Sequence, residues 1–226
     1  MTLFADRAEA GRALAARLAA LAHADPVILA LPRGGVPLGI EVARRLHAPM
    51  DLLMVRKIGA PGQKELAVGA VVDGDAPQYA TNPEVMRAFG LSRADVERLA
   101  LPELAEIHRR RALYSGGRAP VPIAGRTAIV VDDGIATGAT TRAALRALRR
   151  RDPARIVLAV PVAPRDTLDS LRGEVDQIVC LHTPEPFHAV GLHYRDFPQT
   201  GDDEVVRLMD EAARIAGPEC GTAPGD

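Results

Sequence analysis

The sequence is poor in residues on which several classes of protein depend. Of its 226 residues none is tryptophan, 3% are aromatic and two are cysteine. So few aromatic side chains argue against a stacking surface for single-stranded nucleic acid, and two cysteines do not form a disulfide framework. The net charge of -1 gives no electrostatic basis for binding nucleic acid or membranes. These shortages favour a globular protein of the reducing cytoplasm, with neither nucleic acid nor membrane as a partner.

Long apolar segments are also lacking, because no run approaches the ~20 residues of a membrane-spanning helix. The N-terminal segment alternates charges with Ala and Leu at helical spacing and carries Asp6 and Glu9. We therefore expect an amphipathic first helix there rather than a signal or transit peptide.

Short apolar segments do occur, and they alternate with helical patterns. Such runs are typical of strands buried on both faces of a parallel sheet. They cover residues 26–31, 51–55, 127–132, 155–162 and 177–181, with helices expected over about 37–47 and 139–151. The strand–helix order predicts an α/β fold with a right-handed, doubly wound parallel sheet. We predict a single domain over residues 1–215, with a small helical insert at about 81–115, and a disordered tail over 216–226.

The stretch IVVDDGIATGAT (129–140) places two adjacent carboxylates, Asp132 and Asp133, at the end of a strand. Neighbouring negative charges require water, a cation or hydroxyl donors to satisfy them. The following Ala136-Thr137-Gly138-Ala139-Thr140 opens a helix, and its amides and two hydroxyls suit a phosphate. No Lys follows the last glycine, which excludes a Walker A loop. The pattern indicates a sugar phosphate, with the acids accepting from the sugar hydroxyls.

The stretch LPRGG (31–35) also follows a strand and precedes a helix. Gly34 and Gly35 allow the backbone to approach an anion closely, and Arg33 adds positive charge. The alternative interpretation is an ordinary strand-to-helix turn.

A third stretch, VRKIGAPGQKELAVGAV (55–71), has Arg56 and Lys57 at the end of a strand. The link from Gly59 to Glu65 contains glycine, proline and polar residues, and this composition suits a mobile lid. A rigid hairpin between a strand ending at Lys57 and one beginning near Leu66 is the alternative.

Together these stretches resemble the type I phosphoribosyltransferase family over roughly residues 5–200. The family signature has four apolar residues, two acids and a Thr-Gly-x-Thr phosphate loop, which correspond here to 128–131, Asp132-Asp133 and 137–140. Gly134 departs from the branched apolar residue usual at its position, which predicts a looser loop. The resemblance implies a hood with contributions from about 182–200 and a cis peptide between Pro32 and Arg33.

The resemblance also implies a role for each matching residue towards phosphoribosyl pyrophosphate (PRPP). Asp132 and Asp133 would hold the ribose hydroxyls. The 5-phosphate would be bound by Ala136, Thr137, Gly138, Ala139 and Thr140. Arg33, Gly34 and Gly35 would bind the pyrophosphate, with Arg56 or Lys57 adding charge.

The same resemblance implies Mg²⁺ as the cofactor, held mainly by PRPP and water rather than by a cage of protein ligands. Lys57 and Lys64 would serve catalysis from the lid. Retention of these lysines with Glu65 favours an enzyme, since a sensor needs no lid chemistry.

The acceptor would be a purine or pyrimidine base that the sequence does not identify. Ala136 stands where the enzymes that use 6-oxopurines have an acid. This disfavours hypoxanthine and guanine as acceptors and is similar to the adenine- and orotate-type members of the family. Phe187, within HTPEPFHAVGLHYRDF (182–197), matches an aromatic that packs over a base; the alternative is an ordinary core residue.

The sequence therefore predicts a cytoplasmic, PRPP- and Mg²⁺-dependent phosphoribosyltransferase. A non-catalytic PRPP- or nucleotide-sensing protein on the same fold is the alternative, and a hydrolase or phosphorylase acting on a ribosyl phosphate is a third. A homodimer is left open.

Overall fold

A computed structural model describes residues 3–73 and 77–215, without the side chains of Lys64 and Glu65. The predicted tail at 216–226 lies outside the described residues. The elements, in chain order, are α1 (Arg7–Leu18), β1 (Pro26–Ala30), α2 (Val36–Leu46), β2 (Met50–Leu52), β3 (Val55–Ala60), β4 (Gln63–Val72), β5 (Gln78–Thr81), α3 (Pro83–Ala88), α4 (Arg93–Ser115), β6 (Thr127–Val131), α5 (Ala139–Arg149), β7 (Arg155–Val162), α6 (Arg165–Leu171), β8 (Gln177–His182) and α7 (Asp202–Ile215).

Five parallel strands form the main sheet in the order β2-β1-β6-β7-β8. The chain leaves β1 towards one edge of the sheet and leaves β6 towards the other. The strand order therefore reverses between β1 and β6, and ligands of such sheets bind outside the carboxyl ends of the strands at this switch point. The predicted α/β fold with a parallel sheet is confirmed.

Two hydrophobic cores cover the two faces of this sheet. Ile28 and Ile129 belong to the core that contains buried residues of α1, α2, α4 and α7. Their neighbours Val27 and Val130 belong to the other core, with α5 and α6. Since successive side chains of a strand point to opposite faces, a strand between two helical layers must be apolar at every position. This explains the continuous apolar runs in the sequence.

A second, antiparallel sheet has the order β3-β4-β5. The stretch from Gly59 to Glu65, predicted as a mobile lid, forms the strand ends and turn of the β3–β4 hairpin, so the conformation is that of the alternative interpretation. Gly62 occupies the turn with φ +73°, and Ala60 is only 2% exposed. The mobility of this hairpin stays a prediction. The helical insert expected over 81–115 consists of α3 and α4, and the strand β5 before it was not foreseen.

The hood, defined as residues 182–200, leaves the carboxyl end of β8 and pairs with the N-terminal residues. Phe4 forms a parallel bridge with Tyr194. The amides of Arg195 and Asp196 donate to the carbonyls of Phe4 and Ala5, each over 2.9 Å. These bonds place the start of α1 against the hood, at the carboxyl edge of the main sheet.

Within the described ranges, no helix has both the length and the apolar character that crossing a membrane requires.

The packing of α1 on α2 gives the first testable prediction. Leu14 of α1 is completely buried, whereas Leu101 of α4 is 60% exposed. We expect Leu14→Ala to lower the free energy of unfolding by about 2–5 kcal/mol, because it removes buried methyl groups and leaves a cavity. Leu101→Ala is the matched control and should stay within about 0.5 kcal/mol of the wild type. Urea denaturation measures both, and equal values for the two variants would contradict the core assignment.

Candidate active site

The stretch LPRGG and the acid pair meet at the switch point between β1 and β6. A Cβ atom on Gly34 would lie 2.1 Å from Oδ2 of Asp133, and one on Gly35 would lie 2.4 Å from the Val131 carbonyl oxygen. A side chain at either position would collide with these atoms, so the backbone of this loop packs directly on the Asp133 carboxylate and on the end of β6. The Pro32–Arg33 peptide is cis, as predicted.

The two acids lie in different electrostatic surroundings. Burial raises the pKa of Asp132 well above its usual range, and the adjacent charge of Asp133 raises it further. Burial also raises the pKa of Asp133, but Arg7 opposes this effect. Nε and Nη2 of Arg7 both lie 2.9 Å from Oδ2 of Asp133. Asp133 is therefore the carboxylate in direct contact with a cation, Arg7, whereas an ionised Asp132 must be stabilised by other groups around it.

The five backbone N–H groups from Ala136 to Thr140 lie at the start of α5. Gly138 adopts φ +73° at the N-cap of α5, and Thr167 anchors the loop by donating from Oγ1 to the Ala136 carbonyl over 2.7 Å. No acceptor in the described ranges receives a hydrogen bond from the five amides of this loop. Amides aimed outwards at a helix N-terminus form a binding site for an anion. The Thr137 and Thr140 side chains are exposed beside them.

Gly134, the departure from the family signature, has φ +154° and packs under the hood. A Cβ atom there would lie 2.6 Å from Cγ1 of Val190. Val190 therefore occupies the space beside this residue, and the glycine lets the hood approach the acids.

Two cavities flank the loop from Ala136 to Thr140. The hood-side cavity, of about 560 Å³, is lined by Ala136, Thr137 and Phe187 together with residues of α6. The hairpin-side cavity, of about 300 Å³, is lined by Thr140 and Lys57 together with residues of β4, β5 and α5. The loop thus separates a space beneath the hood from a space beneath the hairpin.

The predicted basic residues do not all face these cavities. Arg33 pairs with Asp202 at the start of α7 over 3.2 Å, and Arg56 pairs with Glu103 of α4 over 2.5 Å. Lys57 follows Arg56 on the same strand and lies on the cavity side. Adjacent strand residues point to opposite faces, so of the alternatives Arg56 and Lys57 it is Lys57 that lines a cavity together with Thr140.

Lys64 lies in β4, and its side chain belongs to the part of the chain that the structure does not describe.

Sequence reasoning missed three residues around Asp133. Arg7 contacts its carboxylate, and the Tyr194 hydroxyl donates to its backbone carbonyl over 2.6 Å. The ring of Phe197 lies 4.7 Å from that of Tyr194 and 3.7 Å from Cζ of Arg7. One signal was present, because two of the seven aromatic residues of this aromatic-poor chain lie within the four residues of YRDF, at Tyr194 and Phe197.

A magnesium site must be assessed from the donor atoms of the chain itself. Within residues 3–73 and 77–215, no three His, Cys, Asp or Glu side chains come together as a metal cluster. The acid pair offers carboxylate oxygens from two adjacent residues. This donor set fits Mg²⁺, which commonly uses one or two carboxylates and completes its shell with phosphate oxygens and water.

Comparisons with known proteins match this chain over most of its length. The family model described as the phosphoribosyl transferase domain matches residues 6–194. Two proteins of Mycobacterium tuberculosis, from strains CDC 1551 / Oshkosh and ATCC 25618 / H37Rv and both named "Putative phosphoribosyl transferase", are 48% identical to it over 214 residues. Those residues make up 95% of this chain and 48% of each relative. The chain therefore spans about half the length of these curated relatives.

Among solved structures, that of the protein TT1426 from Thermus thermophilus has a TM-score of 0.81 and 39% identity to this chain. The alignment covers 93% of this chain and 99% of the Thermus protein.

The raised pKa of Asp132 predicts how stability depends on pH. Because the folded state holds this proton more tightly than the unfolded state, stability falls as pH rises from the unfolded pKa, about 3.9, through the raised folded value. We expect Asp132→Asn to raise the melting temperature at neutral pH, and the gain to vanish in acid. Asp169→Asn, in an exposed pair with Arg172, is the matched control and should change little. A melting temperature of Asp132→Asn below that of the wild type at neutral pH would contradict this account.

Proposed function

The chain belongs to the phosphoribosyl transferase domain family, and on that premise we propose that it transfers the 5-phosphoribosyl group of PRPP to a nitrogenous base and releases pyrophosphate. The observation that supports this most directly is a pair of carboxylates beside five amides without protein partners in the described ranges. Amides select an anion, and carboxylates select hydroxyl donors. A ribose 5-phosphate carries both groups at neighbouring positions.

In the proposed complex the 5-phosphate lies against the amides of Ala136–Thr140, and the ribose hydroxyls donate to Asp132 and Asp133. The pyrophosphate lies against the amides of Arg33 and Gly34, which donate no hydrogen bond to an acceptor in the described ranges. Lys57, from the hairpin side, adds positive charge. The contact between Gly34 and Asp133 supports this arrangement, because it brings the proposed ribose and pyrophosphate sites together.

Cleavage of the ribose C1–O bond leaves positive charge on the sugar and negative charge on pyrophosphate. The proposed roles of the chain are to hold the ribose, to stabilise the leaving group with amides and Lys57, and to exclude water. Mg²⁺, which carboxylate oxygens of Asp132 and Asp133 would help to hold, would supply positive charge that neutralises the pyrophosphate. The β3–β4 hairpin would provide the exclusion of water, since an oxocarbenium-like sugar is otherwise hydrolysed.

The acceptor is proposed to bind in the hood-side cavity, stacked on Phe187. This ring is partly exposed and lies 5.3 Å from the ring of His193. Nε2 of His193 is buried and has no hydrogen-bond partner in the described part of the chain. The cavity is large enough for a base, and Ala136 contributes no acid to it. A purine or pyrimidine base other than a 6-oxopurine suits this surface.

Calorimetry with PRPP and Mg²⁺ tests the ribose and phosphate sites. Charge-assisted hydrogen bonds contribute about 1.5–3 kcal/mol each, so we expect Asp132→Asn and Asp133→Asn each to weaken binding about tenfold or more. Asp169→Asn serves as the control with unchanged affinity, and chelation of Mg²⁺ should weaken binding to the wild type. Wild-type affinity in both acid variants would exclude the ribose-binding role.

A screen of bases for pyrophosphate release then separates an enzyme from a sensor. Release with at least one base is the expected result. Tight PRPP binding without release for any purine or pyrimidine base would favour the non-catalytic alternative.

Hydrogen exchange tests the β3–β4 hairpin as a lid. Gly59 and Gly62 can absorb large dihedral changes, and the turn residues Pro61, Gly62 and Gln63 are exposed. We expect fast exchange of the amides around this turn in the free protein and strong protection with PRPP and Mg²⁺, because closing on the ligand excludes water. Amides of β6 serve as an internal reference that stays protected in both states. Equal protection of the turn with and without saturating ligand would establish a rigid hairpin.

A further inference from the structure

We propose that Arg7 is a positioning residue of this site, which holds the Asp133 carboxylate fixed through Oδ2 and leaves Oδ1 to accept a ribose hydroxyl. This inference rests on the proposed function. It concerns a residue at the first position of α1, far in sequence from the stretches that identify the site.

The guanidinium of Arg7 is anchored on three sides. Nε donates to Oδ2 of Asp133 over 2.9 Å and Nη2 lies 2.9 Å from the same oxygen, while Nη1 donates to the Pro198 carbonyl over 2.6 Å. Its Cζ lies 3.7 Å from the centroid of the Phe197 ring, a cation–π contact. The Arg7 side chain is 11% exposed and that of Asp133 is 15% exposed. A pair shielded to this degree is weakly screened by salt and has one geometry, unlike an exposed ion pair.

Within the described ranges, Asp132 lies beside Asp133, Arg7 approaches it from α1 and Tyr194 approaches it from the hood. The Tyr194 hydroxyl donates to the backbone carbonyl of Asp133 rather than to its carboxylate. Asp132 is a like charge and does not pair with it. In this part of the chain Arg7 is therefore the cation in contact with the Asp133 carboxylate, and a planar guanidinium fixes the orientation of the carboxylate that it contacts.

The contacts of Arg7 fit a residue that positions the Asp133 carboxylate better than one that blocks ribose binding. Arg7 uses Oδ2, and Oδ1 of Asp133 accepts no hydrogen bond from any other residue within the described ranges. One hydroxyl requires one acceptor, so ribose can bind while Arg7 stays in place. Gly34 packs on the same carboxylate, which restricts its movement. Displacing Arg7 would break the contacts with Asp133, Pro198 and Phe197 together.

The test uses Arg7→Gln, Arg7→Lys and a control on the same helix, Arg12→Gln. Arg12 is 59% exposed and lies 4.0 Å from Glu41. The affinity of each protein for PRPP with Mg²⁺ is measured by calorimetry, and Arg7→Gln is also measured in an Asp133→Asn background, which removes the carboxylate through which Arg7 is proposed to act.

We expect Arg7→Gln to weaken PRPP binding about tenfold, the effect of one lost charge-assisted hydrogen bond. In the Asp133→Asn background the same substitution should cost little, because the carboxylate that Arg7 positions is no longer there. Arg7→Lys keeps the charge but loses the planar, two-nitrogen contact, so it should restore part of the affinity. Arg12→Gln should match the wild type.

Wild-type or tighter PRPP binding by Arg7→Gln would overturn the inference, and tighter binding would indicate that Arg7 obstructs the site. An equal loss in the wild-type and Asp133→Asn backgrounds would show a merely structural role and would overturn it as well. If Arg7→Gln does not fold, Arg7→Lys decides, since full affinity in that variant contradicts a requirement for the guanidinium geometry. If the wild type itself binds no PRPP, the proposed function fails, whereas wild-type binding without an effect of Arg7 contradicts this inference alone.

Discussion

Asp132 and Asp133 place two carboxylates side by side at the end of a strand whose two faces are both covered by helices. Burial raises the pKa of each, so the charged pair is costly in the absence of compensation. The surrounding structure compensates one of them with Arg7 and packs the backbone of Gly34 against the same group. The N-terminus, the hood and the turn after β1 all converge on this pair.

The second constraint is topological. The turn after β1 and the loop after β6 are about 100 residues apart in sequence, and they meet because the two strands are neighbours where the strand order reverses. Both loops present amides without protein partners in the described ranges. Anion-binding groups at two neighbouring loops, with carboxylates between them, suit a ligand with phosphate at both ends and hydroxyls in the middle. This is the chemical outline of PRPP, and it gives the proposed function its physical basis.

The cavities on the two sides of the loop from Ala136 to Thr140 indicate different functions for the hood and for the β3–β4 hairpin. The hood provides the partly exposed ring of Phe187. It also provides the buried Nε2 of His193, which has no hydrogen-bond partner within the described ranges. An aromatic ring and such a polar nitrogen suit the binding of a base. The hairpin provides Lys57, which suits an anion. Because successive strand residues point to opposite faces, Arg56 pairs with Glu103, whereas its neighbour Lys57 lines the hairpin-side cavity beside Thr140.

The sequence by itself determined the parallel sheet and the acid pair at the end of β6, and the family resemblance added the cis peptide before Arg33. The sheet and the acid pair depend on neighbouring residues, because an apolar run defines a strand buried on both faces and the small residues after Asp133 lead into a helix. Only the tertiary structure decided that Arg7 contacts Asp133, 126 residues away, that Arg33 pairs with Asp202, and that Val190 fills the space beside Gly134. These outcomes depend on which strands become neighbours and on which face each side chain points. Such choices are made by the packing of distant segments, whereas the predicted features follow from backbone geometry within a few residues.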